Sequence, residues 1–289
     1  MGYKTMDAAA VATLLPRRDR YAHKGEFGRL LLVTGSVGFT GASALAARAA
    51  LRTGAGLITV AVPQAVWPIV AGKLDEPMVV PEPDDGRGRF SPDAREDLLA
   101  RLAGADACMI GPGIGRSEAL TELVLALLEH ARCPVVLDAD GINAVAGHID
   151  RLRELACPLI LTPHDGEFAR LCPGTTLDKR DEPARVQAAA ALARKLGAVV
   201  LLKGHRTLIT DGSTVYRNET GNPGMAKGGS GDVLAGIITS FLGQGLAPLQ
   251  AAAAGAWLHG AAGDRCAAER GEYGLTPSDL IDAASRLLQ

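Results

Sequence analysis

Residues 221–236, GNPGMAKGGSGDVLAG, place a glycine-rich turn directly before an apolar helix and leave one acid, Asp232, in the first turn of that helix. The N–H groups at the start of a helix have no partners within it and attract anions. Glycines at 228, 229 and 231 let the backbone approach a phosphate closely. A phosphate repels a nearby carboxylate, unless the carboxylate accepts a proton from the group that attacks the phosphorus. The stretch therefore predicts phosphoryl transfer to a hydroxyl, or alternatively a helix that Asp232 merely caps.

The composition is that of a globular chain with a substantial core, since 47% of the 289 residues are hydrophobic and 21% are charged. The formal net charge is −2 and there is no Lys/Arg block, so no electrostatic argument points to nucleic acid or an anionic membrane. The first residues do not form a secretory signal, and no apolar run is long enough to span a bilayer. The five cysteines are scattered without a CxxC pair, as in a reducing compartment. We expect a cytoplasmic protein with no nucleic-acid or membrane partner.

Strand-like apolar runs alternate with alanine-rich helical patterns. Predicted strands cover residues 30–34, 57–62, 107–110, 134–137, 159–162 and 199–203, followed by a hairpin of 207–210 and 214–216. Predicted helices cover residues 42–53, 92–102, 117–131, 166–171, 184–196, 232–243, 248–265 and 277–287. Most strands are continuous apolar runs, typical of parallel strands that are covered on both faces. The pattern predicts one α/β domain over residues 1–289, with a central, mostly parallel sheet and a surface loop at 81–90.

Five polar or glycine-rich motifs directly follow predicted strands. They are Thr34-Gly35-Ser36, Gly111-Pro112-Gly113, Asp138-Ala139-Asp140, Thr162-Pro163-His164 and Lys203-Gly204. Ligands of open parallel sheets bind beyond the carboxyl ends of the strands, so we expect the motifs to converge there. Each glycine turn alone fits either ligand contact or tight packing, with turn chemistry the favoured interpretation for 111–115, and the spacing at 35, 38 and 41 is not the GxGxxG of a dinucleotide site.

Three of these motifs carry titratable side chains. His164 can hydrogen-bond a substrate or phosphate, and Glu167 can hold Mg²⁺ through water, or can simply complement a helix dipole. Lys203 is the only charge after an apolar run, which suits a phosphate contact or a lysine that reaches from the strand end to solvent. Asp138 and Asp140 can orient a substrate or a metal, or cap the next turn; we favour a supporting role.

Taken together, the motifs resemble the ribokinase-like superfamily and, within it, the ADP- or ATP-dependent NAD(P)H-hydrate dehydratases. The matching segments are KGEFGR (24–29), TGA (40–42), RTGAGL (52–57), GPGIG (111–115), TPHDGE (162–167), KG (203–204) and GGSGDVLAG (228–236). They extend from residue 24 to the C-terminal part of the chain, and their order and joint presence make the resemblance specific.

The resemblance implies a ribokinase-like three-layer α/β/α fold and the repair of a damaged cofactor. The enzyme would use ADP or ATP, with Mg²⁺, to phosphorylate the C6 hydroxyl of hydrated NADH or NADPH, and would then eliminate phosphate. Asp232 would be the base, with Gly229, Ser230 and Gly231 stabilising the transferring phosphoryl group. The nucleotide would contact Lys203, Gly204, His205, Arg206, Thr207 and Gly231. The hydrate would contact Ala42, Gly113, His164 and Asp232.

Other implications of the resemblance concern assembly and alternatives. Family members suggest a homotetramer, and bacterial-type relatives imply ADP as the donor. Residues 1–23 are too few for the epimerase domain of bifunctional relatives, so we expect a separate epimerase or spontaneous epimerisation. Vitamin and sugar kinases of the superfamily usually have Asn in place of His164, which argues against a hydroxymethylpyrimidine or thiazole alcohol kinase. A nucleotide-binding protein without catalysis is the third interpretation, and it leaves Asp232 unexplained.

Overall fold

A computed structural model describes residues 2–288, which form nine strands and eleven α-helices. The strands are β1 (Arg29–Val33), β2 (Leu57–Pro63), β3 (Met78–Glu82), β4 (Ala107–Ile110), β5 (Val135–Leu137), β6 (Leu159–Leu161), β7 (Val199–Leu202), β8 (Leu208–Thr210) and β9 (Val215–Arg217). The helices are α1 (Ala8–Leu14), α2 (Thr40–Arg52), α3 (Trp67–Ala71), α4 (Arg95–Leu102), α5 (Glu118–His130), α6 (Asp140–Val145), α7 (Asp165–Leu171), α8 (Glu182–Leu196), α9 (Ser230–Gly243), α10 (Pro248–Gly274) and α11 (Pro277–Leu287).

The nine strands form one sheet in the order β3-β2-β1-β4-β5-β6-β7-β8-β9. Strands β1 to β7 pair in parallel, and β8 runs antiparallel to both of its neighbours. The chain first builds the sheet outward from β1 through β2 to β3, and then crosses back to place β4 on the other side of β1. The connection after β1 therefore runs towards β2 on one side, and the connection after β4 runs towards β5 on the other. The two loops diverge and leave a crevice between them.

Both faces of the sheet are buried under helices. In β1, Leu30 and Leu32 pack on the face that α2, α9, α10 and α11 cover, whereas Leu31 and Val33 pack on the face that α4 to α8 cover. Successive residues of a strand point to opposite faces, so a strand covered on both sides must be apolar throughout. The continuous apolar runs of the sequence are explained by this, and the predicted three-layer fold with a mostly parallel sheet is confirmed.

The predicted strands and helices are all present, with small differences at their ends, and α10 continues to Gly274. The prediction of a loop over 81–90 is wrong at its start, because Pro81 and Glu82 belong to β3. The edge strand β3 is only partly buried and contains a proline, so its sequence lacks the usual pattern of a strand. None of the helices within residues 2–288 is long and apolar enough to cross a membrane.

Helices α2 and α9 pack against each other at very short range. A Cβ at Gly236 in α9 would lie 2.3 Å from the carbonyl oxygen of Ala46 and 3.0 Å from Cβ of Ala49, both in α2. Small residues at the contact therefore let the two helix backbones approach, and this holds the N-terminal ends of both helices beside the same edge of the sheet.

We expect Gly236→Ala to lower the free energy of unfolding by about 1–3 kcal/mol, because the added methyl group meets backbone that cannot move without shifting α2. Gly147→Ala is the matched control, since nothing lies within 4 Å of a Cβ there. The control should change stability by less than about 0.5 kcal/mol. Urea unfolding measures both variants, and equal stabilities would contradict the close packing of α2 on α9.

Candidate active site

The five motifs that follow strands lie side by side at one edge of the sheet. They come directly after β1, β4, β5, β6 and β7, and these five strands are neighbours in that order. At a strand spacing of about 4.8 Å, their ends cover about 19 Å. The expected convergence is therefore what the structure has, and the row is long enough for two ligands placed end to end.

A partly buried ion pair lies at the end of this row, between the ends of β5 and β7. Nζ of Lys203 is 2.9 Å from Oδ1 of Asp138, and the hydroxyl of Thr162 donates to the same oxygen at 2.6 Å. Asp138 is only 2% exposed. Burial alone would lower the pKa of Lys203, but the negative charges of Asp138 and of Glu167, whose Oε2 is 3.8 Å away, raise it above its ordinary value. Lys203 therefore stays protonated and joins the ends of β5, β6 and β7.

The first turn of α9 lies against this pair. A Cβ at Gly231 would be 3.7 Å from Nζ of Lys203 and 4.0 Å from Oδ2 of Asp138. Among residues 2–288, no side chain makes a capping hydrogen bond at the N-terminus of α9, and an uncapped helix N-terminus favours an anion. Gly229 precedes the helix with φ +100°, and a Cβ there would lie 2.6 Å from Cδ1 of Leu45, so this position requires glycine for two reasons.

Asp232 is the carboxylate of this first turn, and its pKa is raised to about 7. Burial is the main cause, and the negative charge of Asp138 adds to it, whereas Lys203 acts in the opposite direction. A carboxylate with a pKa near the working pH is suited to accept and return a proton. Burial and a like charge thus give Asp232 the proton affinity of a general base.

Two buried polar groups lie behind the first turn of α9. The Ser230 hydroxyl and Nε2 of His259 are both buried without a hydrogen-bond partner among residues 2–288. Burial lowers the pKa of His259 to about 4; the nearby backbone of Ser230 opposes the shift, and the charge of Lys203 adds to it. His259 is therefore neutral at physiological pH. The Ser230 N–H donates to the carbonyl of Lys227 at 3.2 Å, which fixes the turn before the helix.

Two of the predicted substrate residues, Ala42 and Gly113, meet at the crevice between β1 and β4. A Cβ at Gly113 would be 2.7 Å from Cβ of Phe39 and 3.3 Å from Cβ of Ala42. The N–H of Gly35 donates to the carbonyl of Pro112 at 2.8 Å and ties the two loops together. The glycine at 113 thus lets the loop after β4 lie directly against the start of α2.

The predicted substrate residue His164 caps α7. Its Nδ1 accepts from the N–H of Gly166 at 3.0 Å, so the ring proton of the neutral form is on Nε2, which lies 3.4 Å from Oε1 of Glu167. Oε2 of Glu167 accepts from the N–H of His164 at 2.9 Å. Glu167 thus has the capping role left open by the sequence, and His164 itself is exposed.

The predicted nucleotide segment 203–207 is the turn between β7 and β8. Gly204, His205 and Arg206 are exposed, and the Thr207 hydroxyl donates to the carbonyl of Gly204 at 3.0 Å. Arg206 has a positive φ of 56° and forms an ion pair with Glu219 at 3.5 Å. The turn is closed upon itself and presents its backbone to solvent beside Lys203.

Sequence reasoning missed Arg185 and His259. Arg185 is 5% exposed; its guanidinium contacts Asp165 at 2.6 Å and donates to the carbonyl of Lys203 at 3.2 Å. It therefore fixes the start of α7 to the end of β7. No local signal marks either residue, because each gains its role from partners far along the chain. The supporting role predicted for Asp138 has a physical basis, since its carboxylate holds Lys203 and raises the pKa of Asp232.

Within residues 2–288, no three His, Cys, Asp or Glu side chains are arranged to hold a metal ion by themselves. Around Lys203, however, Asp138, Glu167 and Asp232 place more negative than positive charge where phosphates would bind. Mg²⁺ is usually held by one or two carboxylates together with substrate phosphates and water. The residues present therefore fit an Mg²⁺ ion that arrives with a nucleotide.

Comparisons with known proteins agree with this geometry. The family described as NAD(P)H-hydrate dehydratase matches residues 30–286. An ADP-dependent (S)-NAD(P)H-hydrate dehydratase of Neisseria meningitidis serogroup B is 42% identical over 280 residues, which cover 92% of this chain and 87% of that protein. A bifunctional NAD(P)H-hydrate repair enzyme of Moorella thermoacetica is 51% identical over 96% of this chain and 52% of its own length. The chain spans about half the length of this and several other curated relatives.

A solved structure gives the same result for the fold. The ADP/ATP-dependent NAD(P)H-hydrate dehydratase of Bacillus subtilis, co-crystallised with ATP and Mg²⁺, has a TM-score of 0.84 and 30% identity, and the match covers 99% of this chain and 98% of that one. The predicted ribokinase-like fold is confirmed.

The raised pKa of Asp232 has a consequence for stability. An aspartate in an unfolded chain titrates near 3.9, so between about pH 4 and pH 7 the folded protein binds more protons than the unfolded one, and the free energy of unfolding falls as the pH rises. Asn carries no charge, so Asp232→Asn should be more stable than the parent at about pH 8, by up to about 4 kcal/mol, with the difference vanishing towards about pH 4. Urea unfolding at several pH values measures this.

Asp138→Asn is the matched control in the same site. It removes the nearer of the two carboxylates that face Lys203 and leaves only Glu167, 3.8 Å away, so the variant should be less stable than the parent by about 3 kcal/mol at about pH 8. If Asp232→Asn is no more stable than the parent at that pH, the raised proton affinity of Asp232 is wrong.

Proposed function

The chain belongs to the NAD(P)H-hydrate dehydratase family, and we propose that it restores NADH and NADPH from their (6S) hydrates by phosphorylating the C6 hydroxyl and eliminating phosphate. The observation that carries the proposal is the position of Asp232. This carboxylate has a pKa of about 7 and lies in the first turn of an uncapped helix, beside the Lys203–Asp138 pair. The site therefore places a base beside a helix N-terminus that can bind an anion, as phosphoryl transfer to a hydroxyl requires.

In the first step, Asp232 removes the proton of the C6 hydroxyl while that oxygen attacks the terminal phosphorus of the nucleotide. The bond between this phosphorus and the bridging oxygen breaks, and AMP leaves from ADP, or ADP from ATP. The N–H groups at the start of α9, with Gly229, Ser230 and Gly231, stabilise the charge on the transferring phosphoryl group. Lys203 is held at the same point by Asp138 and adds a fixed positive charge.

In the second step, the ring nitrogen supplies its lone pair and the C6–O bond breaks. Phosphate leaves with the bonding electrons, and loss of a proton from the adjacent ring carbon restores the double bond. Phosphate leaves far more readily than hydroxide, which is why a kinase site is sufficient for a dehydration. The overall reaction makes the enzyme a carbon–oxygen lyase, although its first step is a phosphoryl transfer.

The row of strand ends is divided between the two ligands. Gly204, His205, Arg206 and Thr207 bind the nucleotide with Lys203 at the β7 end, and Ala42, Gly113 and His164 bind the hydrate on the other side of Asp232. This division is supported by the contact of Gly113 with Ala42 and by the exposed backbone of the turn 203–207. Mg²⁺, held by the phosphates and through water by Glu167, would neutralise phosphate charge.

The nucleotide donor and the assembly of the enzyme belong to the same proposal. The Neisseria relative is named ADP-dependent and the Bacillus protein ADP/ATP-dependent, so we propose ADP as the donor of this enzyme, with ATP as the alternative. We propose that residues 1–289 form one dehydratase domain, that it assembles as a cytoplasmic homotetramer, and that a separate epimerase supplies the (6S) hydrate.

Purified protein mixed with hydrated NADH or NADPH, Mg²⁺ and ADP or ATP should regain the absorbance of the reduced nicotinamide only when a nucleotide is present. The more effective nucleotide identifies the donor. Omission of the nucleotide is the control for spontaneous recovery. If neither nucleotide gives recovery with both hydrate epimers present, the dehydratase assignment is wrong, and a screen of vitamin alcohols as phosphoryl acceptors should follow.

Asp232→Asn should lower kcat by a factor of about 10²–10⁴, because the C6 hydroxyl loses its base, while nucleotide binding is retained. In the parent enzyme, kcat/KM should rise with pH through about 7, since the base must be unprotonated. Asp282→Asn, at an exposed position of α11, is the control and should keep parental activity. Normal turnover by Asp232→Asn would remove the base assignment, and titration calorimetry with the nucleotide shows whether its site remains intact.

A further inference from the structure

We propose that Phe39, with Val37 beside it, forms an apolar lip on which a base ring of the dinucleotide substrate stacks, an inference that rests on the proposed function. Phe39 is 55% exposed and Val37 is 59% exposed. Both belong to the loop that joins β1 to α2, at the opening of the crevice between β1 and β4. The proposal therefore gives Phe39 a role in substrate affinity and none in the proton transfer at Asp232.

The backbone of the lip is held firmly although its side chains are exposed. The N–H of Val37 donates to the carbonyl of Gly88 at 3.0 Å, and the N–H of Phe39 donates to that of Ser36 at 2.9 Å. The hydroxyl of Ser36, in turn, donates to the carbonyl of Gly113 at 2.7 Å. An exposed aromatic ring on a fixed backbone can bind a flat ligand without a large cost in conformational entropy.

Phe39 also occupies a position where stability favours a different residue. It is the N-cap of α2, and its side chain makes no capping hydrogen bond. Ser, Thr, Asp or Asn at an N-cap stabilises a helix, whereas a large apolar residue does not. Phe39 thus provides no cap and leaves more than half of its surface exposed, so a ligand that covers the ring would account for an aromatic residue at this position.

The surroundings of the lip identify the ligand. Cβ of Phe39 lies 2.7 Å from the point where a Cβ of Gly113 would be, and Ala42 adjoins the same point at 3.3 Å. Nζ of Lys73 donates to the hydroxyl of Thr40 at 2.8 Å, so a positive charge lies one residue from Phe39. Flat apolar surface, open backbone and a nearby cation together match a base ring joined to a pyrophosphate.

The test compares four variants of Phe39 in the hydrate assay. Phe39→Ala should raise KM for the hydrate about tenfold, within the range measured for loss of a base–aromatic stack, with kcat and the KM of the nucleotide unchanged. Phe39→Trp should keep the parental KM, and Phe39→Leu should fall between the two. Serine is a better N-cap than phenylalanine, so the Tm of Phe39→Ser should be no lower than that of the parent. Its KM for the hydrate should nevertheless rise as in Phe39→Ala. Ile69→Ala, which removes an equally exposed apolar side chain on α3, is the control.

The hydrate of the reduced nicotinamide mononucleotide distinguishes the two rings. If the KM increase in Phe39→Ala persists with this shorter substrate, the lip binds the nicotinamide-derived ring; if the increase occurs only with the dinucleotide, it binds adenine. Either result supports the lip. Equal KM values for the parent and Phe39→Ala with both substrates would overturn the lip. An equal increase in the KM of the hydrate and of the nucleotide would overturn it too. Neither result would affect the dehydratase assignment.

A binding measurement separates this inference from the proposed function. The fluorescence of Phe39→Trp should be quenched by NADPH more strongly than that of the parent, whose signal comes from Trp67 and Trp257. The result does not depend on turnover, because NADPH is the product. Additional quenching supports the lip even if the hydrate assay fails, and equal quenching in both proteins overturns it.

Discussion

The ion pair between Lys203 and Asp138 is the interaction on which the candidate site depends. It joins the ends of β5 and β7, and the Thr162 hydroxyl adds the end of β6. Such a pair costs desolvation energy, so it contributes little net stability unless its geometry is good and its other hydrogen bonds are satisfied. The pair also acts on the pKa of Asp232, which burial raises most: Asp138 raises it further, and Lys203 lowers it.

The second requirement is the short distance between α2 and α9. Gly236 lets the two backbones touch, and Gly229, about two turns nearer the site, lies against Leu45. A side chain at either glycine would separate the crevice between β1 and β4 from the first turn of α9. Residues that contribute no functional group thus determine whether the lip at Phe39 and the base at Asp232 can act on one molecule.

Much of this arrangement could be predicted from the sequence, because buried parallel strands are continuous apolar runs and ligands bind beyond their carboxyl ends. The edge strand β3 could not be predicted, since Pro81 and Glu82 hide its pattern. The pairing of Lys203 with Asp138 could not be predicted either, because the two residues are 65 positions apart and only the sheet brings them together. The same reason explains why Arg185, on a helix with no motif, escaped sequence reasoning.

The raised pKa of Asp232 couples ligand binding to proton uptake from the solvent, in addition to its role in the chemical step. With a pKa of about 7, this carboxylate is about half protonated at neutral pH. A polyanion arriving beside it makes the charged form less favourable, so binding takes up protons from the buffer. The heat released on binding then includes the ionisation enthalpy of that buffer, and affinity itself becomes a function of acidity. The enzyme's saturation with its ligands is thus coupled to the pH of its surroundings.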